Sequence, residues 1–405
     1  MSATPLSHLG AMPVSEFLRD YWQQKPLFIP NAIPGWEAPL DGNDLAGLTL
    51  EHSVESRLII EKTSKDPLCS QWTMEHGPLV EERFATLPNS HFTLLIQALD
   101  QICPELHQLL NQFRFIPNWR IDDIMASVAP TGGSVGPHFD YYDVFLLQAT
   151  GTRRWQLGQQ CSSASPLVPD CPLKILTAFE TQVEHIATPG DLLYIPANMA
   201  HWGVAQSDDC TTYSIGFRAP SYSDILLDLS QDIASALSPD TRYRDPALNP
   251  FGNQNCGEIS RAVASTIAEH CQSYFTPERV AAWLGKSLTE SKRCAPDVTT
   301  GEFNTEGLIL AADARAAYTQ NMQGHSSEPS NSQNVHGNTN TNAKCATVFI
   351  NGDQWQTSLS LARALCNYTI IQPEHYCSAD QAIIEQWIDH EYLNLPNSAH
   401  ASTHC

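Results

Sequence analysis

The apolar positions of this chain change their period several times, and the changes divide it. Residues 14–24, VSEFLRDYWQQ, place Phe17, Leu18, Tyr21 and Trp22 at helical spacing, with Ser15 available as an N-cap. KPLFIPNAI then reads as a short strand entering a loop. SRLIIEK and QWTMEHGPL, on either side of a turn, predict a β-hairpin. Over 91–114 the period is helical again, through Phe92, Leu95, Ile96, Leu99, Ile102, Leu106, Leu109, Leu110 and Phe113, and predicts a core-facing helix.

From Trp119 to Phe217 the pattern becomes one of short strands: RIDDIMASVAP, DVFLLQATG, RRWQLG, VEHIATPGD, LLYIPA, HWGVAQ and TTYSIGFRAP, separated by Gly, Pro and Asp turns. Many short strands with such turns predict an all-β barrel or sandwich. The cupin-type double-stranded β-helix suits them best, because it gathers residues from separated strands around one mouth. Beyond Ala219 the strands stop. SYSDILLDLSQDIASALS, GEISRAVASTIAEHCQSYF and PERVAAWLGKSLTES are amphipathic, enough for a small helical bundle or a dimerisation unit.

Residues 302–405 read as a smaller α+β unit: GLILAADARAAY, ATVFINGDQWQTS with a turn at Asn351-Gly352, SLARALCN and DQAIIEQWIDHEYL. Residues 321–344, rich in Asn, Ser, Thr and Gly, carry too little apolar area to order themselves and are expected to form a flexible insertion. His325, His336 and His404 lie in or beside such polar segments and are expected to be bystanders. The expected organisation is a mainly β domain over 1–225, a helical region over 226–300 and a small C-terminal domain over 301–405.

Charge narrows the possible partners. With 44 acidic and 22 basic residues the net charge is −22. Nucleic acid is bound chiefly by Lys and Arg on phosphates, so direct nucleic-acid binding is not expected, whereas a basic protein suits the surface. The 12 cysteines are scattered without a CxxC pair, which speaks against a zinc ribbon or a dense disulfide framework and for reduced thiols in a cytoplasm. The N-terminal stretch lacks the basic-then-apolar pattern of a secretory signal, and no run is long enough to span a membrane.

The candidate chemistry sits in SVGPHFDYYDVFLLQATGTRRW, Ser134 to Trp155, and in DLLYIPANMAHWG, Asp191 to Gly203. His138 and Asp140 are two apart, so on a strand they project from one face, with Phe139 opposite. With 15 His in the chain, an HxD pair alone carries little. Its setting carries more: a turn-forming TGGSVGP delivers a strand at His138, and ATPGDLLYIPANMAHWG delivers another at His201. Two imidazoles and one carboxylate form the facial triad of a non-haem iron(II) site, which leaves coordination positions open for a cosubstrate and dioxygen.

A 2-oxoglutarate-dependent oxygenase also needs a cation for the far carboxylate of its cosubstrate. Strand alternation puts Arg153 on one face with Trp155 and Leu157, and Arg154 on the other with Gln156, so Arg153 is the interior cation. Ser127 and Tyr213 are candidate pocket hydroxyls, each equally readable as an ordinary strand residue. Asp122, Asp123 and Asp143 are candidates to receive a cationic side chain. Asp122 and Asp123 are adjacent, so only one should reach the pocket.

GPHFDYYDVFLLQATGTRRWQLG, PGDLLYIPANMAHWG and YSIGFRAP, with WRIDDIMAS and FLRDYWQQKPLFI, resemble the JmjC-type ribosomal oxygenases, in particular the bacterial branch that hydroxylates an arginine of a large-subunit ribosomal protein. The resemblance covers residues 14–225 and extends more loosely beyond. It implies Fe(II) held by His138, Asp140 and His201, 2-oxoglutarate bound by Arg153 with Ser127 as a looser match, and C-3 hydroxylation with dioxygen. It further implies a homodimer through the helical region and a winged-helix-like C-terminal domain; the 321–344 insertion departs from the family. Three other readings use the same residues: a JmjC-type N-methyl demethylase, a zinc or manganese cupin that isomerises or hydrolyses, and a non-catalytic ribosome-assembly binding protein. Succinate formation from 2-oxoglutarate separates the oxygenases from the last two.

Overall fold

The computed structural model describes residues 4–62, 71–245, 257–290, 307–320 and 345–395. The polar stretch at 321–344, with His325 and His336, and His404 lie outside the described residues. A two-residue hairpin, β1 (His8–Leu9) and β2 (Met12–Pro13), feeds α1 (Val14–Asp20). The helix starts one residue before the expected cap at Ser15. Pro13 occupies the cap position without a side-chain bond, and the Val14 N–H is satisfied by the Ser7 carbonyl instead.

Next come β3 (Leu27–Ile29), α2 (Gly42–Leu48), β4 (Ser56–Lys62), β5 (Gln71–His76), α3 (Glu81–Phe84) and β6 (Phe92–Ile96). The expected hairpin is present, β4 pairing antiparallel with β5. The expected helix over 91–114 is not. Its first part is strand β6, paired with β4, because FTLLI is a short apolar run buried along almost its whole length, and such a run suits a buried strand as well as a helix. Ala98 in the left-handed region and a 3-10 turn at Leu99–Gln101 break the chain, and only α4 (Pro104–Gln112) is helical.

The strands that follow are β7 (Ile121–Ala129), β8 (Asp143–Thr150), β9 (Arg153–Gln160), β10 (Val183–Ala187), β11 (Leu192–Ile195), β12 (Met199–Ala205) and β13 (Cys210–Phe217). They form two sheets. The large one has the order β3-β11-β8-β13-β7-β6-β4-β5, the small one β10-β9-β12. Alternation on β8 shows how the layers stack. Phe145 and Leu147 enter the main core with Phe17, Phe113 and Tyr194, while Val144 and Leu146 point the other way, onto Trp155 and Leu157 of the small sheet. The cavity described below opens between the two sheets.

The helices α5 (Tyr222–Ala236), α6 (Arg261–Gln272) and α7 (Pro277–Thr289) follow, each capped by a Ser or Thr hydroxyl accepting a backbone N–H. The C-terminal unit has β14 (Ile309–Leu310), β15 (Ala316–Gln320), β16 (Cys345–Ile350), β17 (Asp353–Ser358), α8 (Leu359–Cys366), α9 (Ser378–Asp389) and β18 (Leu393–Asn394). The turn expected at Asn351-Gly352 joins β16 to β17, both residues having positive φ as a tight hairpin requires.

Candidate active site

His138 and His201 are brought together by backbone pairing. The His138 N–H donates to the His201 carbonyl at 3.0 Å, and the His201 N–H returns the bond at 2.8 Å. The expected strand at His138 is thus a single antiparallel bridge, and β8 begins only at Asp143. Asp140 is fixed from the other side, its carbonyl accepting the Asn198 N–H at 2.6 Å. Ser134 ties the same loops, accepting from Gly136 N at 3.0 Å and Trp202 Nε1 at 3.0 Å and donating to the Gly203 carbonyl at 2.8 Å. Sequence reading missed Ser134, whose only signal is its place in a turn-forming run.

The three side chains converge. Their ligand atoms all lie within 4.8 Å of one another, with His201 Nε2 at 3.7 Å and His138 Nε2 at 4.0 Å from Asp140 Oδ2. Each histidine directs Nδ1 at a carbonyl, Gly136 at 2.8 Å and Met199 at 3.0 Å. A carbonyl only accepts, so Nδ1 carries the proton and the Nε2 lone pairs face the centre, the tautomer a metal requires. Burial, and then the neighbouring His138, lower the His201 pKa to about 4, which keeps its ring neutral.

These residues line a cavity of about 780 Å³ together with Ser127, Arg153, Asp122, Asp123, Tyr142 and Trp155. Arg153 is 2% exposed and points inward beside Trp155 and Leu157, as alternation predicts. Arg154 points outward to Glu184, 3.8 Å away. Arg153 Nη2 donates to Ser127 Oγ at 3.2 Å, while its Nε is buried without a hydrogen-bond partner. No carboxylate among the described residues pairs with it. A buried guanidinium in a cavity with no counter-ion fits an anionic ligand.

Three expectations need correction. Tyr213 is fully buried on the far face of β13 and packs on Trp36 in the main core; Thr212 and Ser214, of opposite parity, line the cavity instead. Asp143 also leaves the site, accepting from Tyr194 at 2.6 Å and pairing with Arg120 at 3.3 Å. Asp122 and Asp123 both line the cavity, although adjacent strand residues were expected to diverge. Asp122 begins where β7 emerges from a 3-10 turn at Asn118–Arg120, and it is drawn to Arg218 at 3.0 Å. Tyr142, not anticipated, lines the cavity with Asp140 and keeps much of its ring exposed. Burial, then the carboxylates of Asp140, Asp122 and Asp123, push its hydroxyl pKa up, so it remains a donor.

A JmjC domain pattern matches residues 108–225, which hold all of these ligands. The chain is 35% identical over 332 residues to a probable ribosomal oxygenase of Haemophilus influenzae, covering 75% of this chain and 78% of that protein. It is 31% identical over 286 residues to the ribosomal protein uL16 3-hydroxylase of Escherichia coli, covering 68% and 71% respectively. Among solved structures it resembles YcfD of E. coli with a TM-score of 0.77 at 24% identity, over 96% of this chain and 100% of that one. A structure of YcfD, a ribosomal oxygenase, with cobalt and 2-oxoglutarate superposes with a TM-score of 0.75 at 24% identity, over 96% and 99%. The shared domain, the cupin-type pair of sheets and these relatives lead to one assignment: the chain belongs to the ribosomal oxygenase family of JmjC-domain proteins.

Proposed function

We propose that the protein is an Fe(II)- and 2-oxoglutarate-dependent hydroxylase of a basic ribosomal protein, acting on C-3 of an arginine side chain. The observation that carries this is Arg153, a buried cation without a counter-ion in the same cavity as two histidines and a carboxylate whose donor atoms converge. His138, Asp140 and His201 would hold the iron, and Arg153 the far carboxylate of 2-oxoglutarate, with the Ser127 hydroxyl steadying the guanidinium. When bound, iron with 2-oxoglutarate and dioxygen supplies the oxidant: one oxygen atom enters the substrate C–H bond, and the other leaves in succinate as carbon dioxide is lost.

The chain itself orients and excludes. Leu146, Val144 and Trp155 line the cavity with apolar surface and limit water there. Tyr142 stays protonated beside Asp140 and offers the cavity a hydroxyl donor. Asp122, Asp123 and Glu55 line the same cavity and favour a cationic side chain, in keeping with the charge of −22. The E. coli relative named a uL16 3-hydroxylase supports a ribosomal protein as the target and hence a cytoplasmic enzyme. Tyr222, Leu227 and Ile259, exposed on and beside α5 and α6, support the homodimer as part of this proposal.

Mass spectrometry of ribosomal proteins incubated with the enzyme, iron(II) and 2-oxoglutarate is expected to find one added oxygen on an arginine, and none with His138→Ala or Asp140→Ala. An unmodified protein set, or continued 2-oxoglutarate decarboxylation in either variant, would overturn the proposal.

A further inference from the structure

The ladder between β6 and β7 ends at Ile96 opposite Ala126. Towards Ile121, β7 keeps β13 on one edge and loses its strand neighbour on the other. Two side chains stand along that bared edge. Asp100 Oδ1 accepts the Ile124 N–H at 2.8 Å, and Arg315 Nη2 donates to the Asp122 carbonyl at 3.4 Å. Residues 122, 124 and 126 share parity, so these are the groups the next ladder steps would have used. Arg315 Nη2 also pairs with Asp100 Oδ2. Both side chains are buried, Asp100 completely and Arg315 at 6% exposure.

Arg315 belongs to the C-terminal unit, just before β15. Its N–H donates to Asn351 Oδ1 at 2.9 Å and its Nη1 to the Ala312 carbonyl at 3.2 Å, so the guanidinium is anchored there before it reaches across. From the helical region, the Leu288 carbonyl accepts from Arg218 Nη1 at 2.5 Å, and Arg218 Nε holds Asp122. The even residues Ile124 and Ala126 are fully buried in the core, while Asp123, Met125 and Ser127 face the cavity. Whatever fixes this edge fixes the floor of the cavity at its acidic end.

We propose that Arg315 is a positioning residue for substrate recognition. Through Asp100 and the Asp122 carbonyl it substitutes for a missing strand and sets where Asp122 and Asp123 meet an incoming cationic side chain. The C-terminal unit is thereby part of the recognition apparatus without touching substrate. This rests on the function proposed above. Ser127, by contrast, lies where β7 is paired on both edges, with Leu95 and Thr212, so the cosubstrate end does not depend on Arg315.

The test uses the full chain with Arg315→Gln, which loses the ion pair, and Arg315→Lys, which keeps the charge but not the fork. In Arg315→Gln the Ile124 amide is expected to exchange hydrogen about tenfold faster, with β8 amides unchanged, and the KM for a basic ribosomal-protein peptide to rise about tenfold at near-constant kcat. Affinity for 2-oxoglutarate in the manganese-loaded protein should stay within about twofold, and Arg315→Lys should show about a threefold effect on exchange and KM. Unchanged Ile124 exchange, or loss of 2-oxoglutarate affinity in step with the peptide, overturns the proposal. If the glutamine variant does not fold, the lysine variant decides by the same exchange measurement. Failure of the wild-type enzyme to modify any ribosomal peptide would instead refute the proposed function, while the exchange result still tells whether Arg315 holds β7.

Discussion

Arg153 shows how much one residue can be asked to do. It is buried, and among the described residues its Nε lacks a partner and its one side-chain hydrogen bond is to Ser127. Charge-assisted hydrogen bonds are worth about 1.5–3 kcal/mol each, so Arg153→Met should weaken 2-oxoglutarate binding by about 100-fold. Ser127→Ala, which removes only the brace, should weaken it about fivefold. Titration of 2-oxoglutarate into the manganese-loaded protein checks both, and a methionine variant that binds normally removes Arg153 from this role. That Arg153 points inward and Arg154 outward was legible in the sequence, because RRWQL declares its apolar face. The misplacing of Tyr213 was avoidable on the same ground, since it shares parity with Ile215 and Phe217, both fully buried. Asp143 was not legible: its partners Tyr194, Arg120 and Gln23 come from three distant segments.

At the scale of elements, strands that carry turns at both ends were readable and the one that runs on into a helix was not. β8, β9 and β12 announce themselves by Gly, Pro and Asp punctuation, whereas β6 runs directly into a 3-10 turn and α4, so its apolar residues merge with the helix's. The convergence of His138 on His201 is a matter of pairing, which periodicity does not encode; the sequence offered the two halves and not the bridge. That pairing depends on close packing between β9 and β12. Gly203 lies opposite Trp155, and a Cβ there would fall 2.5 Å from the indole ring, which is itself 6.2 Å from the His201 ring. Gly203→Ala should therefore destabilise the fold by about 1–3 kcal/mol as the indole is displaced. It should also weaken manganese binding, read by equilibrium dialysis beside thermal denaturation. An alanine variant with wild-type melting and metal affinity would show that Trp155 moves freely.

For the whole molecule, the decisive region is where the catalytic sheets meet the C-terminal unit, and nothing in the sequence pattern pointed to it. His107 of α4 lies there, its ring 5.5 Å from that of Tyr368 and its Nδ1 buried without a hydrogen-bond partner. Desolvation, and then the positive charge of Arg315, lower its pKa to about 4, with Asp100 opposing. An unfolded histidine titrates near 6.5, so between about pH 6.5 and 4 the unfolded chain binds more protons than the folded one. His107 therefore costs the fold nothing above about pH 6.5 and progressively more as the pH falls, up to about 3 kcal/mol near pH 4, below which both states are protonated and the loss stops growing. His107→Phe keeps a ring against Tyr368 and cannot take up the proton. Urea denaturation of wild type and variant at pH 7, 5.5 and 4.5 should give similar midpoints at pH 7 and a shallower acid decline for the variant. The carboxylates lose their contributions equally in both proteins, so their difference isolates the histidine. If the two proteins decline in parallel, the acid sensitivity of the junction has another source.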